Sequence, residues 1–540
     1  MPPTFIDLLS NGYFPKELPP NFATSSFSKF IETHETTLDT TFKNPKKIST
    51  INCKHSFSRS KSFRRELMIP NPILQYNLSK VLSDNWITIN ALINRSNIST
   101  SKPIKNELSK RAFIPEIERE KFSLKRAALR SSSKFILKTD ISEFYHSIYT
   151  HSIPWAIHSK DTAKANRCNQ LWGNLLDNWV RNGQDGQTIG IPVGPDSSLI
   201  IAEIIMSAID LEIESKIKGI KGLRYFDDYE FSFSDRSSAE SALNVINNIV
   251  NSYELRLNPI KTSILELPQR FEESWISKLR TYKFSSSIQG QKSDIADYFD
   301  VACDYYHQFQ NSNVFTYAIA RLRSETIAEE NWDYVQHLLS QAMTVEPSLI
   351  PISYWIMLNH TEKGYSINKD IFTQCLNNLI IRLTPLGHSN ELAWCLWGAM
   401  AFKIKIYTRA ASFLEQVDDN VVAILAMDAE TKGIFTRKIS KDKWSTNVNT
   451  KSLYNENWLL TYESNVQGWI LPAELDDPVA EDNKFNLLKE NDVSFYTPLE
   501  YPINKADLEE FSKPSSYTGE DEDSDDYGHF DDYDPDDDPF

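Results

Sequence analysis

The chain has 540 residues, 41% of them hydrophobic, and its 57 Lys and Arg face 73 Asp and Glu for a net charge of −16. About two to four domains of ordinary size are expected at this length, and no stretch approaches the roughly 18 consecutive apolar residues of a membrane span. Met1–Ser10 (MPPTFIDLLS) lacks the charged start and apolar run of a signal peptide, so the expectation is a cytoplasmic protein with no membrane partner. Cys53, Cys168, Cys303, Cys375 and Cys395 are odd in number and far apart, which argues against a disulfide framework or a CxxC metal site. The histidines form no HExxH, and neither a Walker A sequence nor GxSxG is present, so zinc chemistry, P-loop hydrolysis and serine hydrolysis have no support.

The charge is unevenly placed. Glu520–Asp538 holds 12 acids and no Lys or Arg, leaving 61 acids against 57 bases elsewhere, a net of −4. Thr41–Thr139 holds 21 bases and 6 acids, a net of +15. Such a density attracts phosphates and reads as a nucleic-acid footprint, with a solvated surface as the alternative. The acidic segment reads as a disordered tail. It has three open roles: a solubilising bristle, an autoinhibitor occupying the basic groove, or a docking strip for a basic partner.

In chain order, Met1–Lys54 is rich in Thr, Ser, Pro and Asn and reads as an extended arm with one short helix. LMIPNPILQYNLSKVLSDNW gives a short extended run stopped by Pro70 and Pro72, then a helix through Leu74, Leu78 and Leu82. SSKFILKTDISEFY reads as a buried strand ending near Asp140. DSSLIIAEIIMSAIDLEIESKI reads as a long helix opened by an Asp/Ser cap. LRYFDDYEFSF alternates like a hairpin with a tight acidic centre, Ser237–Tyr253 is helical, and LRLNPIKTSILEL reads as two short strands around Asn258-Pro259. Strand, helix, hairpin, helix, strand is an α+β order. Beyond about Ser287, patterns such as WDYVQHLLSQAM and ELAWCLWGAMAFKIKI make an all-α second half, repeat-like without a strict period.

Three carboxylates stand out: Asp140 at a strand end, and Asp227 with Asp228 at a hairpin tip. Adjacent carboxylates repel unless a cation neutralises them, and hard Asp oxygens suit Mg2+. Two such ions would assist an in-line phosphoryl transfer. Side chains alternate along a strand, so one of Asp227 and Asp228 faces Asp140 squarely, and Asp227 is the expected one.

These residues resemble the motifs of reverse transcriptases: LKTDISEFYHSI motif A, GIPVGPDSS motif B, RYFDDY the Tyr-x-Asp-Asp motif C and LRLNPIKTSI motif D, in the family's order. RRELMIPNP resembles the fingers motif, and FEESWISKL sits where a primer grip belongs. FYHSIYTHSIPWAIHSK and QTIGIPVGPDSS more closely resemble the bacterial antiphage group, the abortive-infection and "unknown group" defence reverse transcriptases, which carry an all-helical C-terminal half. The resemblance implies an arm at 1–57, fingers and palm at 58–285, a helical thumb or scaffold at 286–470, an extension at 471–513 and the acidic tail at 514–540.

It also implies roles. Asp140, Asp227, the weaker Asp228 and the Ile141 carbonyl would hold two Mg2+ ions, with Mn2+ as substitute, and Lys261 would be a general acid toward pyrophosphate. Arg65, with Arg64 as fallback, would grip the triphosphate. Tyr145 would exclude a 2′-hydroxyl, Val193 and Gly194 would line the nucleotide site, and Trp275 would hold the primer end. Val193 stands where many relatives have Gln, and Phe226 is bulky for its position, so both weigh against ordinary templated copying. The expected function is a DNA polymerase in antiphage defence, using dNTPs and making a DNA product, extending a 3′-hydroxyl or a protein hydroxyl and able to work without a template. RNA, as template or noncoding partner, and a homo-oligomer stay open. The alternatives are a non-catalytic RNA- or protein-binding scaffold, and a conventional RNA-templated enzyme.

Overall fold

The computed structural model describes residues 5–42, 48–58, 64–105, 111–116, 119–309, 313–470, 477–503 and 505–512. The acidic tail lies outside them. The fold is α+β. A four-stranded antiparallel sheet, in the order β6-β7-β5-β8, is built from β5 (Phe135–Thr139), β6 (Lys221–Tyr225), β7 (Asp228–Phe233) and β8 (Ser263–Glu266). Two hairpins precede it: β1 (Cys53–Ser58) with β2 (Arg64–Ile69), and β3 (Pro103–Lys105) with β4 (Phe113–Pro115). The helix Asp196–Lys216 carries Ile200, Ile201, Ile204, Ile205, Ile209 and Ile213 at helical spacing, all buried, and packs against the helices around it. The helix Arg236–Ser252 is capped by Asp235, whose carboxylate accepts the Ser238 N–H at 2.9 Å, and buries Ala239, Ala242, Ile246 and Ile249.

Three local expectations need correction. The N-terminal segment is not an extended arm. It holds the helices Phe5–Ser10 and Ser25–Thr41, and Phe27, Phe30, Ile31 and Leu38 repeat with helical spacing and are buried. The many Ser and Thr hydroxyls of the longer helix mask that stripe, and several bond back to carbonyls a turn earlier, as Thr41 does to Thr37 at 2.8 Å. Secondly, Asp196 does not cap its helix, since Pro195 holds the cap position. The Asp196 carboxylate points away and accepts the Ala112 and Phe113 N–H groups at 3.1 and 3.2 Å. Thirdly, LRLNPIKTSILEL forms one strand, β8, and an isolated bridge of Leu257 to Ile141, because the Asn258 side chain turns the chain by accepting the Ile260 N–H at 3.0 Å.

The second half is helical from Ile288, with Ser287 as cap. It begins on the palm, where Trp275 meets Tyr317 edge to face at 5.7 Å. It then runs through successive helices to Trp458–Val466 and returns to the β1–β2 hairpin. There Arg64 forks onto Glu391, both contacts 2.8 Å, and fully buried His55 meets Asp419 at 2.9 Å. Trp458 donates to the Ile69 carbonyl at 3.1 Å, and Asn71 to the Leu453 carbonyl at 2.8 Å. Residues near the two ends of the described chain also share a core: Phe14 and Phe27 pack on Phe495, and Phe22 bridges to Tyr496. No helix among the described residues is long and apolar enough to cross a membrane.

Glu463 sits under that junction. Fully buried, it accepts the Phe495 N–H and the Ser494 hydroxyl, and burial raises its pKa to about 7. The folded value exceeds the unfolded one, so this group's contribution is whole below the ordinary carboxyl pKa and is lost as pH rises through about 7. Thermal unfolding of the wild type and Glu463→Gln across pH 5 to 8 should show the wild type losing stability relative to the variant, by on the order of 3 kcal/mol. Parallel pH profiles would contradict this assignment.

Candidate active site

β6 and β7 are joined by two residues, Phe226 and Asp227, since Tyr225 pairs directly with Asp228. Phe226 has φ 52°, a left-handed value that favours glycine at the first position of such a turn. Asp227 is thereby lodged in the turn and buried, while Asp228 opens β7 half-buried. Asp140 follows β5, whose ladder ends with Thr139 opposite Tyr229, so the next facing positions are Asp140 and Asp228 on one sheet face. On its other side, Asp140 accepts the Asn258 N–H through its carbonyl at 2.9 Å, which brings the 255–264 segment alongside. Lys261 Nζ reaches Asp140 Oδ2 at 3.1 Å. Desolvation works against the ammonium, but Asp228, then Asp140, then Asp227 outweigh it and hold the Lys261 pKa above its ordinary value. Motifs A, C and D therefore converge at one end of the sheet. The pairing register brings Asp228 level with Asp140 and leaves Asp227 buried in the turn beside them; pattern alternation alone could not set that register.

The structure places the remaining candidates as follows. Ile141 is buried beside the bridge to Leu257. Tyr145 is nearly buried, its ring against Phe144, and its carbonyl accepts the Ile191 N–H at 2.9 Å, tying motif A to motif B. Val193 is buried and its carbonyl accepts the Met68 N–H at 2.9 Å. Gly194 faces Pro15 of the N-terminal segment, so close that a Cβ would stand 2.5 Å from the proline Cγ. Arg111 closes this joint, donating to the Phe14 and Gly194 carbonyls at 3.1 and 3.0 Å and to Asp196. Arg65 is buried on β2. Arg64 is committed to Glu391 and Ser56, so the fallback grip it was expected to supply is taken up by an ion pair with the helical half. Trp275 is fully buried against Tyr317, so its indole is core and does not face a primer.

Sequence reasoning missed a buried polar seam behind the hairpin. Arg224, fully buried, lies between Glu203 and Asp210 of the Asp196–Lys216 helix, with contacts of 2.8 to 3.0 Å, and Tyr229 donates to Asp210 at 2.8 Å. The signal was present: an arginine between the apolar Leu223 and Tyr225, and two acids at i and i+7 on an isoleucine-rich helix. The +15 segment is also less of a footprint than its charge suggests. At least eight of its bases are spent internally: Lys54 on Glu66, Arg64 on Glu391, Lys80 on Asp39, Lys105 on Asp7, Arg111 on Asp196, Arg126 and Arg130 on Glu230, and Lys134 on Glu266.

Among the described residues, no three His, Cys, Asp or Glu stand close enough together to hold a metal ion. The donor chemistry nonetheless fits one: Asp140 and Asp227 are buried hard-oxygen donors, and Asp228 adds a third.

The Gly194–Pro15 contact can be tested directly. Gly194 has φ 126°, and Gly194→Ala adds both backbone strain and the clash. The substitution should cost on the order of 2 kcal/mol in urea unfolding, and Pro15→Ala in the same chain should recover only the clash. A variant as stable as the wild type would show the joint to be loose.

Residues 77–294 match the family described as reverse transcriptase (RNA-dependent DNA polymerase). None of the curated proteins matches the chain. Two solved structures are similar to it. The telomerase of Candida albicans in complex with the TWJ fragment of telomeric RNA is 12% identical, covering 78% of this chain and 68% of that one, with a TM-score of 0.31. The Candida tropicalis telomerase with the same RNA fragment is 14% identical, covering 70% of this chain and 66% of that one, with a TM-score of 0.26. The chain thus spans about two thirds of the length of those telomerases. The family match takes in Asp140, Tyr145, Gly194, Asp227, Asp228 and Lys261, and this stretch of the chain is a reverse transcriptase domain.

Proposed function

We propose that the chain is a DNA polymerase that uses dNTPs in a two-metal nucleotidyl transfer and acts in antiphage defence. The observation that carries the catalytic part is the convergence of Asp140, Asp227 and Asp228 around Lys261 at the end of the palm sheet. Asp140, Asp227, Asp228 and the Ile141 carbonyl would hold two Mg2+ ions, or Mn2+ in their place. When bound, these ions supply Lewis-acid activation of the attacking hydroxyl and charge neutralisation at the leaving pyrophosphate. Lys261, its ammonium favoured by the three carboxylates, would donate its proton to the departing pyrophosphate. Arg65 presents a forked guanidinium to the triphosphate, a task Arg64 leaves to it. Tyr145, anchored through its carbonyl to motif B, excludes a 2′-hydroxyl.

The defence role rests on the motif A and motif B phrases together with the helical second half. The same resemblance supplies the readings of template-free synthesis and of a protein hydroxyl as primer. Val193 favours them, because a buried valine donates no hydrogen bond to a template or nucleotide. The bulky Phe226 beside Asp227 points the same way. RNA, as template or bound noncoding partner, and a second copy of the chain complete the set of partners. The alternative is a non-catalytic scaffold with a polymerase-like palm that binds RNA or protein.

Incorporation of each labelled dNTP by the purified chain with Mg2+, without template and with half of each product treated with protease, separates these readings. Asp227→Ala is expected to lower incorporation by roughly a thousandfold, and Lys261→Ala by roughly a hundredfold. Protease-sensitive label would establish protein priming, and protease-resistant label would keep the polymerase and discard that priming. No incorporation even with an RNA template and DNA primer would favour the scaffold.

A further inference from the structure

The turn bearing Asp227 is unusual in what fills it. A two-residue hairpin loop with a left-handed first residue normally uses glycine there, and here it uses a phenylalanine, 7% exposed. Something must hold Phe226 in that conformation, and both of its main-chain polar groups are held. Its N–H donates to Ser101 Oγ at 2.7 Å, and its carbonyl accepts from Arg224 Nη1 at 2.6 Å.

Arg224 is itself over-determined. Nε donates to Asp210 at 3.0 Å, Nη2 to Asp210 and Glu203 at 2.8 Å each, and Nη1 to Glu203 at 2.9 Å in addition to Phe226. All five N–H groups are used, an arrangement that only a planar fork allows. The strap 96–101 clamps the same strand from the other side. Arg224 N–H donates to the Ile98 carbonyl at 2.7 Å, its carbonyl takes the Thr100 N–H at 2.8 Å, Ser99 donates to Glu203 at 2.6 Å, and Ser96 to Asp210 at 2.7 Å. Glu203 and Asp210 belong to the helix that begins at Asp196, next to the Gly194 joint.

We propose that Arg224, with Ser101, is a positioning residue for the carboxylates Asp227 and Asp228. It holds the Phe226–Asp227 turn in its left-handed form and couples that turn to the helix leaving motif B. The inference rests on the polymerase reading above. Neither residue reaches substrate; each acts through the main chain of Phe226.

The test is Mn2+ affinity, followed by the paramagnetic signal of the free ion, alongside dNTP incorporation with the full chain. Ser101→Ala and Arg224→Lys are expected to bind Mn2+ about tenfold more weakly and to need correspondingly more Mg2+, with kcat lowered and the KM for dNTP little changed. Arg224→Lys also leaves two buried carboxylates poorly matched, so Ser101→Ala, which removes the acceptor of the Phe226 N–H and a long 3.5 Å donation to Glu203, carries the test if the lysine variant does not fold. Phe226→Gly in the Ser101→Ala chain should restore most of the Mn2+ affinity, because glycine adopts the turn without being held. Wild-type affinity in a folded Ser101→Ala chain, with Asp227→Asn abolishing binding, would overturn the positioning role alone. A wild-type chain whose Mn2+ binding ignores Asp227→Asn would remove the polymerase reading, and this inference with it.

Discussion

The sheet and its neighbouring helices depend on pairing buried carboxylates with buried cations. Glu203 and Asp210 lie on a helix that is otherwise an apolar slab, and both are essentially excluded from water. Burial pushes the Asp210 carboxyl up, and the Arg224 guanidinium is the main force holding it down. Removing that one cation would leave two uncompensated charges in the core, which is far more costly than the pair is stabilising. The same device recurs around the domain. Glu230 is held low by Arg130 and Arg126, and at Asp196, where burial pushes the carboxyl up, Arg111 opposes that push in part. At the sheet end, Lys261 faces three carboxylates at once. Hard carboxylate oxygens gathered in this way suit a divalent cation.

The helical half shares this logic. It departs from the palm at Trp275 and closes on the β1–β2 hairpin through Arg64–Glu391 and His55–Asp419. The β1–β2 hairpin is thus clamped between the matched stretch and the helices, and Arg65 lies in the strand so clamped. The N-terminal segment adds a second clamp, with Pro15 against Gly194 and Phe14 and Phe27 against Phe495. Motif B is therefore braced from both ends of the chain, an arrangement that favours a preorganised site over one assembled by large domain closure.

Much of the catalytic end was legible in the sequence because its signals are local. A strand that ends on Asp140, a tight turn at Asp227 and the Ser287 helix start each follow from a few adjacent residues. What failed was nonlocal. The Ser25–Thr41 helix looked polar because its apolar stripe makes sense only against Tyr13 and Phe495, the latter more than 400 residues away. Asp196 looked like a cap until Arg111 claimed it. The basic run looked like a footprint because its acidic partners are scattered from Asp7 to Glu391. Trp275 sat at a plausible primer grip, but only the later helix bearing Tyr317 reveals that it is interior.

The claim on which the account turns is that Asp140 and Asp227 share a cation that displaces Lys261. Anomalous diffraction from crystals grown with Mn2+ and a non-hydrolysable dNTP tests it most directly. The account predicts a Mn2+ peak ligated by both carboxylates, with the Lys261 ammonium moved off Asp140. An Asp140–Lys261 pair still in place, with no peak between the carboxylates, would contradict it.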